Sequence, residues 1–388
     1  MVPSHRRVAL LGATGSIGRQ SLEVLRREPD RFDLVAISGG EQLAELAAIQ
    51  REFGVSWVGV KSPAHRERLA LLVDESVEIL VGDEGLRQLA QSADVVVNAV
   101  MGFAGLPVTI GALEAGVRLA LANKESLIAG APLVERARAT PGAELVPVDS
   151  EHCAIYQCLV GASAQRGRPD VRRLLLTASG GPFRGMSSAQ LQHVTREDAL
   201  RHPTWSMGDK ITVDSSTLMN KGLEVLEASA LFGVEVARID VVVHPQSVVH
   251  SMVEFVDGSI LAQLSNPDMR LPIAYSLGLP ERLDHRWGAL DFSSGVELTF
   301  EAPDRSSFRA LDLAYEAARL GGAAPAWLSA ANEVAVDAFL ARRIQWCDLV
   351  PLVATVMEHY ESDELATLGA LYENDATARR LATGNLPH

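Results

Sequence analysis

The first 150 residues alternate between short apolar segments and longer segments with helical periodicity, and this alternation restricts the fold more than any other feature. The apolar runs of four or five residues predict buried strands, and the runs between them predict helices. Such alternation is typical of an α/β fold with a doubly wound, Rossmann-type parallel sheet. The predicted strands cover residues 8–11, 33–37, 57–60, 78–81, 95–99, 118–122 and 145–148. The helical segments between them include 16–27, 42–53 and 86–91.

After residue 149 the pattern changes, which indicates further domains in this chain of 388 residues. The predicted elements are helices at 151–159 and 216–232, a buried strand at 174–178, and three consecutive hairpin-like strands at 240–244, 248–255 and 259–264. They suggest an α+β domain, followed by a long proline-containing connection from Pro267 to Pro303 and a C-terminal helical domain. We therefore expect domains at 1–149, 150–275 and 307–388, with a linker at 276–306.

Composition and charge exclude several classes of partner. The chain carries 49 acidic and 35 basic side chains, a net charge of −14, so neither nucleic acid nor anionic membranes are expected as general partners. No apolar run has the length of a membrane span, and the first strand follows without a secretory signal, so we expect a cytoplasmic protein. The three cysteines lack metal-type spacing and do not indicate a disulfide framework.

Residues 12–18 (GATGSIG) follow the first predicted strand and open a helix. Glycines permit a tight turn and close approach of a pyrophosphate, whose charge the helix N-terminus stabilises. This context predicts dinucleotide binding, and the alternative is a tight turn without a ligand. The second strand ends in Ser38-Gly39-Gly40, without the acid that binds the ribose of NAD, which favours NADP. No Arg or Lys follows that strand, however, and Glu41 argues for NAD.

Two carboxylates, Asp149 and Glu151, flank Ser150 where the seventh predicted strand meets a helix. Alternate residues of an extended segment point the same way, so both carboxylates can face one point and bind a hard divalent cation. The alternative is that they cap the helix and interact with its dipole.

A second polar set, Asn123-Lys124-Glu125, follows the sixth strand at the edge of the sheet where such folds bind ligands. We interpret it as a candidate for holding the nicotinamide end of the cofactor. The alternative is a pair of surface charges that open a helix.

A third set, Asn220, Lys221 and Glu224, has the spacing that places three side chains on one helix face. Asp214 or Ser215 could cap this helix. Glu224 could give a third oxygen ligand to a metal beside the first carboxylate pair. The alternative is a solvated face with an internal Lys–Glu pair.

Residues 202–208 (HPTWSMG) have neither helical nor strand periodicity. They are consistent with a surface loop, or with a loop that closes over a ligand and excludes water with its indole and thioether. Ser179, Ser215 and Lys221 offer hydroxyls and a charge to a phosphate, although each alone is commonly a turn or cap residue. His244 and His250 lie in apolar strands and are interpreted as hydrogen-bonded core histidines.

Taken in order, these segments resemble the 1-deoxy-D-xylulose 5-phosphate reductoisomerase family over nearly the whole chain. The resemblance rests on GATGSIG at 12–18, LANKESL at 121–127, PVDSEH at 147–152, SGGPFR at 179–184, HPTWSMG at 202–208, MNKGLE at 219–224, HPQSVVHSM at 244–252 and NPDMR at 266–270. It implies an oxidoreductase that rearranges a sugar phosphate by retroaldol and aldol steps, reduces the aldehyde with NADPH, and belongs to isoprenoid precursor synthesis. It also implies a homodimer and Mg²⁺, Mn²⁺ or Co²⁺ as the metal.

The resemblance assigns roles to residues as follows. The metal would be bound by Asp149, Glu151 and Glu224, with Lys124 and Ser150 near the reacting end of the substrate and Lys124 as a candidate proton donor. The substrate phosphate and hydroxyls would be held by Ser179, His202, Ser215, Asn220 and Lys221, under a flap containing Trp205 and Met207. NADPH would be held by Gly12, Thr14, Gly15, Ser16, Ile17, Ser38, Gly39, Asn123, Lys124 and Glu125.

The chain departs from the family pattern at three places. Gly40 and Glu41 stand where a basic or amide residue is usual, and Asp209 stands where a basic residue is usual. Cys153 lies beside the carboxylates, where a polar or small residue is expected, and could make the site sensitive to oxidants. Two other functions stay open on the sequence alone. One is a metal-independent dehydrogenase of the semialdehyde or homoserine type, and the other is an NADPH-sensing protein without turnover.

Overall fold

The computed structural model describes residues 5–163, 170–293, 295–361 and 367–387. The chain divides into two compact units. The first contains Met1–Ser126, Pro132–Cys153 and Asp268–Trp287, and the second contains Leu127–Ala131, Ala154–Pro267 and Gly288–His388. The domain bounds expected from the sequence are a finer division of the chain and stay a prediction.

The first unit is built on a seven-stranded parallel sheet in the order β4-β3-β2-β1-β5-β6-β7. Its strands are β1 (Arg6–Leu11), β2 (Phe32–Gly39), β3 (Trp57–Val60), β4 (Glu78–Val81), β5 (Val95–Asn98), β6 (Arg118–Leu121) and β7 (Glu144–Pro147). The strand order reverses between β1 and β5, which makes that point a topological switch. The predicted doubly wound sheet is confirmed, and every predicted strand overlaps an observed one.

Helices connect these strands: α1 (Ser16–Arg27), α2 (Leu43–Phe53), α3 (Pro63–Ala70), α4 (Gly82–Ala90), α5 (Leu106–Glu114) and α6 (Glu125–Arg138). Helix α7 (Ser150–Ser163) follows β7. In α1, Leu22 and Leu25 are buried against the sheet, and burial of each stabilises the fold by roughly 1.5–3 kcal/mol. In α3 only Leu69 is buried, so this helix has little amphipathic signal. The sequence prediction gave no bounds for α3, α5 and α6, and in α3 the weak signal accounts for this.

The second unit contains a four-stranded mixed sheet in the order β11-β10-β8-β9. The strands are β8 (Val171–Ala178), β9 (Ile239–Val243), β10 (Val249–Phe255) and β11 (Ile260–Leu264). The expectation of three consecutive hairpin strands is wrong, because β8 lies between β9 and β10 and only β10 and β11 form a hairpin. The physical reason is that Leu174 and Leu176 of β8 are fully buried, which places this strand in the middle of the sheet.

The helices after β8 differ from the single helix expected at residues 216–232. They are α8 (Ser188–Leu191), α9 (Arg196–Ala199), α10 (Asp209–Ser216) and α11 (Met219–Phe232). Leu218, with φ +62°, separates α10 from α11 in the left-handed region, which few residues other than glycine adopt. Asp214 and Ser215 therefore lie in α10 and do not cap α11, so that expectation is wrong.

Helix α12 (Arg270–Gly278) lies inside the segment interpreted as an irregular connection, and that interpretation is wrong for these residues. Pro272 is in the first turn of α12, where the missing amide hydrogen costs no helical hydrogen bond. Ile273, Ala274 and Leu277 are buried in the core of the first unit. The connection thus returns to the parallel sheet and completes its core.

The C-terminal residues form helices, as predicted from their Ala- and Leu-rich periodicity. These helices are α13 (Ala310–Leu320), α14 (Ala324–Leu340), α15 (Leu349–Met357) and α16 (Leu368–Gly384). The buried indole of Trp327 donates to Asn374 Oδ1 at 2.7 Å and so joins α14 to α16. Residues 362–366 and 388 of the predicted helical domain lie outside the described residues. Among the helices described, none is long and apolar enough to cross a bilayer.

Candidate active site

The glycine loop between β1 and α1 has the geometry of a dinucleotide-binding turn. Gly12 has φ +93°, and a Cβ atom there would lie 2.4 Å from Ala99 O, while one at Gly18 would lie 2.3 Å from Gly12 O. Neither position can hold a larger residue without a shift of the backbone. Gly15 precedes α1 and offers no side-chain cap. The first amides of α1 are therefore not capped by this residue and suit a pyrophosphate.

The end of β2 supports the same loop. Ser38 Oγ accepts the Gly12 amide hydrogen at 3.1 Å, and Ser38 O accepts that of Ala13 at 2.8 Å. Ser38 is 3% exposed, which indicates a part in shaping the loop from within. Direct contacts of Ser38 and Gly39 with the cofactor stay a prediction, as do those of Thr14, Ser16 and Ile17.

Asn123 ties the start of α6 to the turn after β5. Its Nδ2 donates to Val100 O at 2.8 Å and to Gly102 O at 2.7 Å, and its Oδ1 accepts the Ser126 amide hydrogen at 2.9 Å. Glu125 also accepts from Asn123, at 3.1 Å. Lys124 and Glu125 are both buried, so the alternative of a pair of surface charges is wrong. The side chains of Asn123 and Glu125 fix the loop that carries Lys124.

Asp149 caps the start of α7, as one of the two alternatives predicted, and is also bonded to two basic side chains. Its role as a metal ligand stays a prediction. Its Oδ1 accepts the Glu151 amide hydrogen at 3.2 Å at the start of α7, while its Oδ2 lies 2.9 Å from Lys124 Nζ. His152 Nδ1 is 3.2 Å from Oδ1. Burial raises the pKa of Asp149, but the charges of Lys124 and His152 outweigh it and hold the pKa well below its usual range. Asp149 is therefore an ionised oxygen donor.

Ser150 and Glu151 complete this part of the site. Ser150 Oγ donates to Glu151 Oε2 at 2.6 Å, which orients the second carboxylate.

Cys153 is 1% exposed, and burial shields a thiol from oxidants. The structure thus does not support the sensitivity to oxidants expected at Cys153. Asp209 is an exposed residue in the first turn of α10, where an acid interacts favourably with the helix dipole.

The three polar residues at the start of α11 converge as their spacing predicts. Asn220 Nδ2 donates to Glu224 Oε1 at 2.5 Å, and Lys221 Nζ donates to the other carboxylate oxygen. Lys221 and Glu224 are 4% and 1% exposed, so the alternative of a solvated face is wrong. Because burial of an ion pair is costly unless each charge is well bonded, this arrangement favours a functional role over a merely structural one.

Ser179 and His202 form a hydrogen-bonded pair beside a cavity of about 670 Å³. His202 Nδ1 accepts the Trp205 amide hydrogen at 2.9 Å, so in the neutral ring Nε2 carries the hydrogen and donates to Ser179 Oγ at 3.0 Å. Arg184 and Arg201 line the same cavity, and each is paired with an acid, Glu301 at 2.9 Å and Asp198 at 3.5 Å. The hydroxyl, imidazole and guanidinium groups can donate hydrogen bonds to an anionic ligand.

Residues 202–208 lie outside helices and strands, as predicted. Trp205 is half-buried and contacts the ring of His250 edge-on, with centroids 5.9 Å apart. Met207 is also half-buried. Ser215 Oγ donates to Ile211 O at 2.9 Å within α10. The flap and substrate-binding roles of these residues stay predictions.

His244 and His250 are hydrogen-bonded core residues, as expected. His244 Nε2 accepts the Val248 amide hydrogen at 3.1 Å, and His250 Nε2 is 3.2 Å from Ser265 O. Their exposed fractions are 0% and 4%.

Sequence reasoning missed two buried polar networks, one in each unit. In the first unit, Asn98 Nδ2 donates to Thr109 Oγ1 at 2.9 Å, and Thr109 donates to Ser126 at 3.0 Å. In the second unit, Asp214 accepts from Lys210 at 3.0 Å and from Asn332 at 2.7 Å. The only signal in the sequence is a polar residue inside an apolar run, as at Asn98.

His152 and Glu227 were also missed, although both are fully buried. Each follows a predicted site carboxylate by three residues, Asp149 and Glu224 respectively. This i, i+3 spacing could have identified both residues.

Three family models match successive parts of the chain. Residues 8–131 match the 1-deoxy-D-xylulose 5-phosphate reductoisomerase model, residues 145–232 match the model of its C-terminal domain, and residues 264–381 match a further DXP reductoisomerase C-terminal domain model. Together they cover most of the chain.

Relatives and solved structures agree with these matches. The reductoisomerases of Chlorobaculum tepidum and Xanthomonas campestris pv. campestris (strain 8004) are 48% and 49% identical over 97% and 99% of this chain, and 98% of each relative. The Zymomonas mobilis reductoisomerase in complex with NADPH has a TM-score of 0.90 and 41% identity, over 98% of this chain and 99% of that one. A DOX-P reductoisomerase in complex with NADPH, fosmidomycin and magnesium has the same TM-score and identity over 98% of both chains. The chain belongs to the 1-deoxy-D-xylulose 5-phosphate reductoisomerase family.

Proposed function

We propose that this chain converts 1-deoxy-D-xylulose 5-phosphate into 2-C-methyl-D-erythritol 4-phosphate in an NADPH- and divalent-metal-dependent reaction of the non-mevalonate route to isoprenoid precursors. The proposal rests on one observation in a member of this family. The chain has a dinucleotide-binding loop together with two carboxylates held by neighbouring side chains, Asp149 by Lys124 and Glu224 by Asn220. A metal-independent dehydrogenase or a nucleotide sensor would have no use for those carboxylates.

Asp149, Glu151 and Glu224 would hold the metal ion, which we propose is Mg²⁺, Mn²⁺ or Co²⁺. Their donor set fits such an ion, because hard divalent cations prefer carboxylate oxygens. Lys124 keeps Asp149 ionised, and Asn220 orients Glu224. A divalent ion bound there would supply Lewis acidity for the rearrangement. A magnesium-bound reductoisomerase among the similar structures supports the assignment.

Lys124 is proposed to act at the reacting end of the substrate. Its side chain is 10% exposed, and its ammonium nitrogen lies 2.9 Å from Asp149 Oδ2. From this position it can hold Asp149 ionised and give electrostatic support, or a proton, to a substrate oxygen. Ser150 follows Asp149 directly and would contact the same end of the substrate. NADPH, held by the glycine loop and the start of α6, would supply the hydride.

The substrate phosphate is proposed to bind to Ser179, His202, Ser215, Asn220 and Lys221. A phosphate accepts hydrogen bonds from hydroxyl, imidazole and ammonium groups, and a fixed phosphate orients the rest of a small substrate. Ser179 and His202 are already joined by a hydrogen bond beside a cavity, which supports their assignment to one anion site. Trp205 and Met207 would cover the substrate and exclude water while the aldehyde intermediate is present.

The proposed reaction is tested by metal removal. We expect NADPH oxidation with 1-deoxy-D-xylulose 5-phosphate and Mn²⁺ to fall by more than about 100-fold when EDTA is added, because a Lewis acid contributes several kcal/mol. Re-addition of Mg²⁺ or Mn²⁺ should restore the rate, and fosmidomycin should inhibit tightly when metal and NADPH are present. Oxidation that persists in EDTA would support the dehydrogenase, and NADPH binding without any turnover would support the sensor.

We further propose that the protein is a cytoplasmic homodimer. Strand β11 lies at an edge of the second sheet, and Ile260 and Leu261 are 49% and 43% exposed there. Val256, at the β10–β11 turn, is 64% exposed. Edge strands with exposed apolar side chains are usually covered, and a second copy of the chain related by a twofold axis would cover this one.

The dimer is tested with Leu261→Lys, which places a charge in the proposed interface. Light scattering coupled to size exclusion should show a dimer for the wild type and at least partial dissociation for the variant. Leu72→Lys is the matched control, because Leu72 is equally exposed at 41% but lies in the other compact unit. A monomeric wild type, or an unchanged mass for Leu261→Lys, would contradict this interface.

A further inference from the structure

The end of β2 lacks the side chain that usually decides between NAD and NADP. In doubly wound nucleotide domains an acid at this place binds the ribose 2′-hydroxyl, and a nearby Arg accommodates a 2′-phosphate. Here Ser38 bonds to the glycine loop, and Gly39 and Gly40 have no side chain. A Cβ atom at Gly40 would meet no atom within 4 Å. There is thus room for an added group but no cation on β2 to bind it.

The neighbouring strand brings cations to the same edge of the sheet. Gly39 of β2 is paired with Val60, the last residue of β3, so that Lys61 follows β3 where Gly40 follows β2. Lys61 is exposed. Parallel neighbours end at the same edge, so a group that binds beside Gly40 is also beside Lys61.

His65, in the first turn of α3, is held in place toward this edge. Its Nδ1 is 2.6 Å from Ser62 Oγ, and its Nε2 is 3.1 Å from the carboxylate of Glu41. Its side chain is only 14% exposed, whereas that of Glu41 is 72% exposed. The ring therefore has a fixed direction, and the anion that it contacts is an exposed side chain that another anion could replace.

Arg68 adds a third basic group. It lies one turn after His65 on α3 and lines, together with Glu41, a cavity of about 590 Å³. The hydrogen bond with His65 and the charges of His65, Lys61 and Arg68 lower the pKa of Glu41. An anion at the position of the Glu41 carboxylate is thus favoured by three basic residues, none of which belongs to β2.

We propose that Lys61, His65 and Arg68 bind the 2′-phosphate of NADPH in this chain, and that Glu41 contacts His65 only when no 2′-phosphate is bound. The proposal rests on the proposed use of NADPH and names the residues that set this preference. Lys61 and Arg68 supply charge, and His65, oriented by Ser62, supplies a directed hydrogen bond. Glu41 competes with the phosphate for His65, so cofactor preference depends on the balance between them.

The test measures cofactor binding without substrate. Dissociation constants of the full-length protein for NADPH and NADH are determined by calorimetry at low and high salt, together with those for 2′,5′-ADP and 5′-AMP. We expect Lys61→Ala and His65→Ala each to weaken NADPH about tenfold, as loss of a hydrogen bond to a charged group does. NADH should change less than about twofold, because it lacks the group that these residues contact.

Glu41→Gln should have the opposite effect and tighten NADPH relative to NADH. Arg66→Ala is the matched control, because it removes an exposed positive charge from the same helix. We expect it to leave the ratio of the two affinities unchanged. The preference of the wild type for NADPH should also decrease at high salt, since the contacts of Lys61 and Arg68 are exposed.

Equal losses for NADPH and NADH, or an unchanged affinity for NADPH in both alanine variants, would overturn the inference. The folded state of His65→Ala is checked by its thermal unfolding, and Lys61→Ala, at an exposed position, gives an independent answer. Absence of turnover with 1-deoxy-D-xylulose 5-phosphate would contradict the proposed function alone, because these measurements contain no substrate.

Discussion

Glu224→Gln is expected to reduce kcat/KM for 1-deoxy-D-xylulose 5-phosphate by about 10²–10³-fold, the range seen when one group that stabilises a developing charge is removed. The substitution keeps the shape of the side chain and its contact with Asn220 but removes the negative charge. A neutral amide is a weaker ligand for a hard cation than a carboxylate. Steady-state assays over a range of Mn²⁺ concentrations measure the effect, and high Mn²⁺ should recover part of the rate.

A loss of stability must be separated from this loss of metal binding. Lys221 is buried and donates to Glu224, so the amide also weakens a charge-assisted hydrogen bond, at a cost of about 1.5–3 kcal/mol. Urea unfolding quantifies that cost. Glu235→Gln, at an exposed position, is the charge-matched control and should retain activity. Full activity of Glu224→Gln at low Mn²⁺ would show that this residue is not a metal ligand.

Gly12→Ala is expected to abolish detectable NADPH binding and to lower the free energy of unfolding by at least about 2 kcal/mol. A residue with a side chain costs about 1–2 kcal/mol at positive φ, and the added Cβ would lie 2.4 Å from a backbone oxygen, Ala99 O. Relief of this contact must move β1 away from the loop after β5. Binding of the pyrophosphate requires that it closely approaches the backbone of the glycine loop. Cofactor affinity and the free energy of unfolding should therefore fall together.

Gly40→Ala is the control for stability. Gly40 lies at the same edge of the sheet, but an added Cβ there meets no neighbouring atom and its φ is not positive. Thermal unfolding of Gly40→Ala should match the wild type, while that of Gly12→Ala should shift to lower temperature. Normal NADPH affinity in Gly12→Ala would contradict the assigned role of the loop.

The parallel sheet could be predicted because its strands are short, buried and separated by helices. Helix α3 could not be predicted in this way, because Leu69 is its one buried residue and one buried residue gives no periodicity. Helix α12 was not predicted because the prolines of this segment indicated an irregular connection. Pro272, however, occupies a position in the first helical turn, which tolerates proline. The break between α10 and α11 depends on the left-handed backbone of Leu218, and no residue preference indicates it. Local pattern thus identified elements with regular burial and missed those fixed by tertiary contacts.

The candidate site shows the same division. Spacing alone predicted that Asn220, Lys221 and Glu224 share one helix face, and the structure confirms the contacts between them. Spacing could not show that this face is buried, because burial depends on the packing of the helix within its unit. Nor could it show that Asp149 both caps α7 and accepts from Lys124, since the two residues are 25 positions apart and meet only through the order of strands β6 and β7.

The position of α12 has a consequence for synthesis of the protein on the ribosome. The core of the nucleotide-binding sheet includes Ile273 and Leu277, and Arg6 at the start of β1 donates to Leu279 O at 2.7 Å. These partners are translated more than 260 residues after Arg6. Until they emerge, the nascent sheet has an uncovered apolar face. We therefore expect a fragment of residues 1–149 to aggregate when expressed alone, and chaperones to hold the growing chain until α12 is complete.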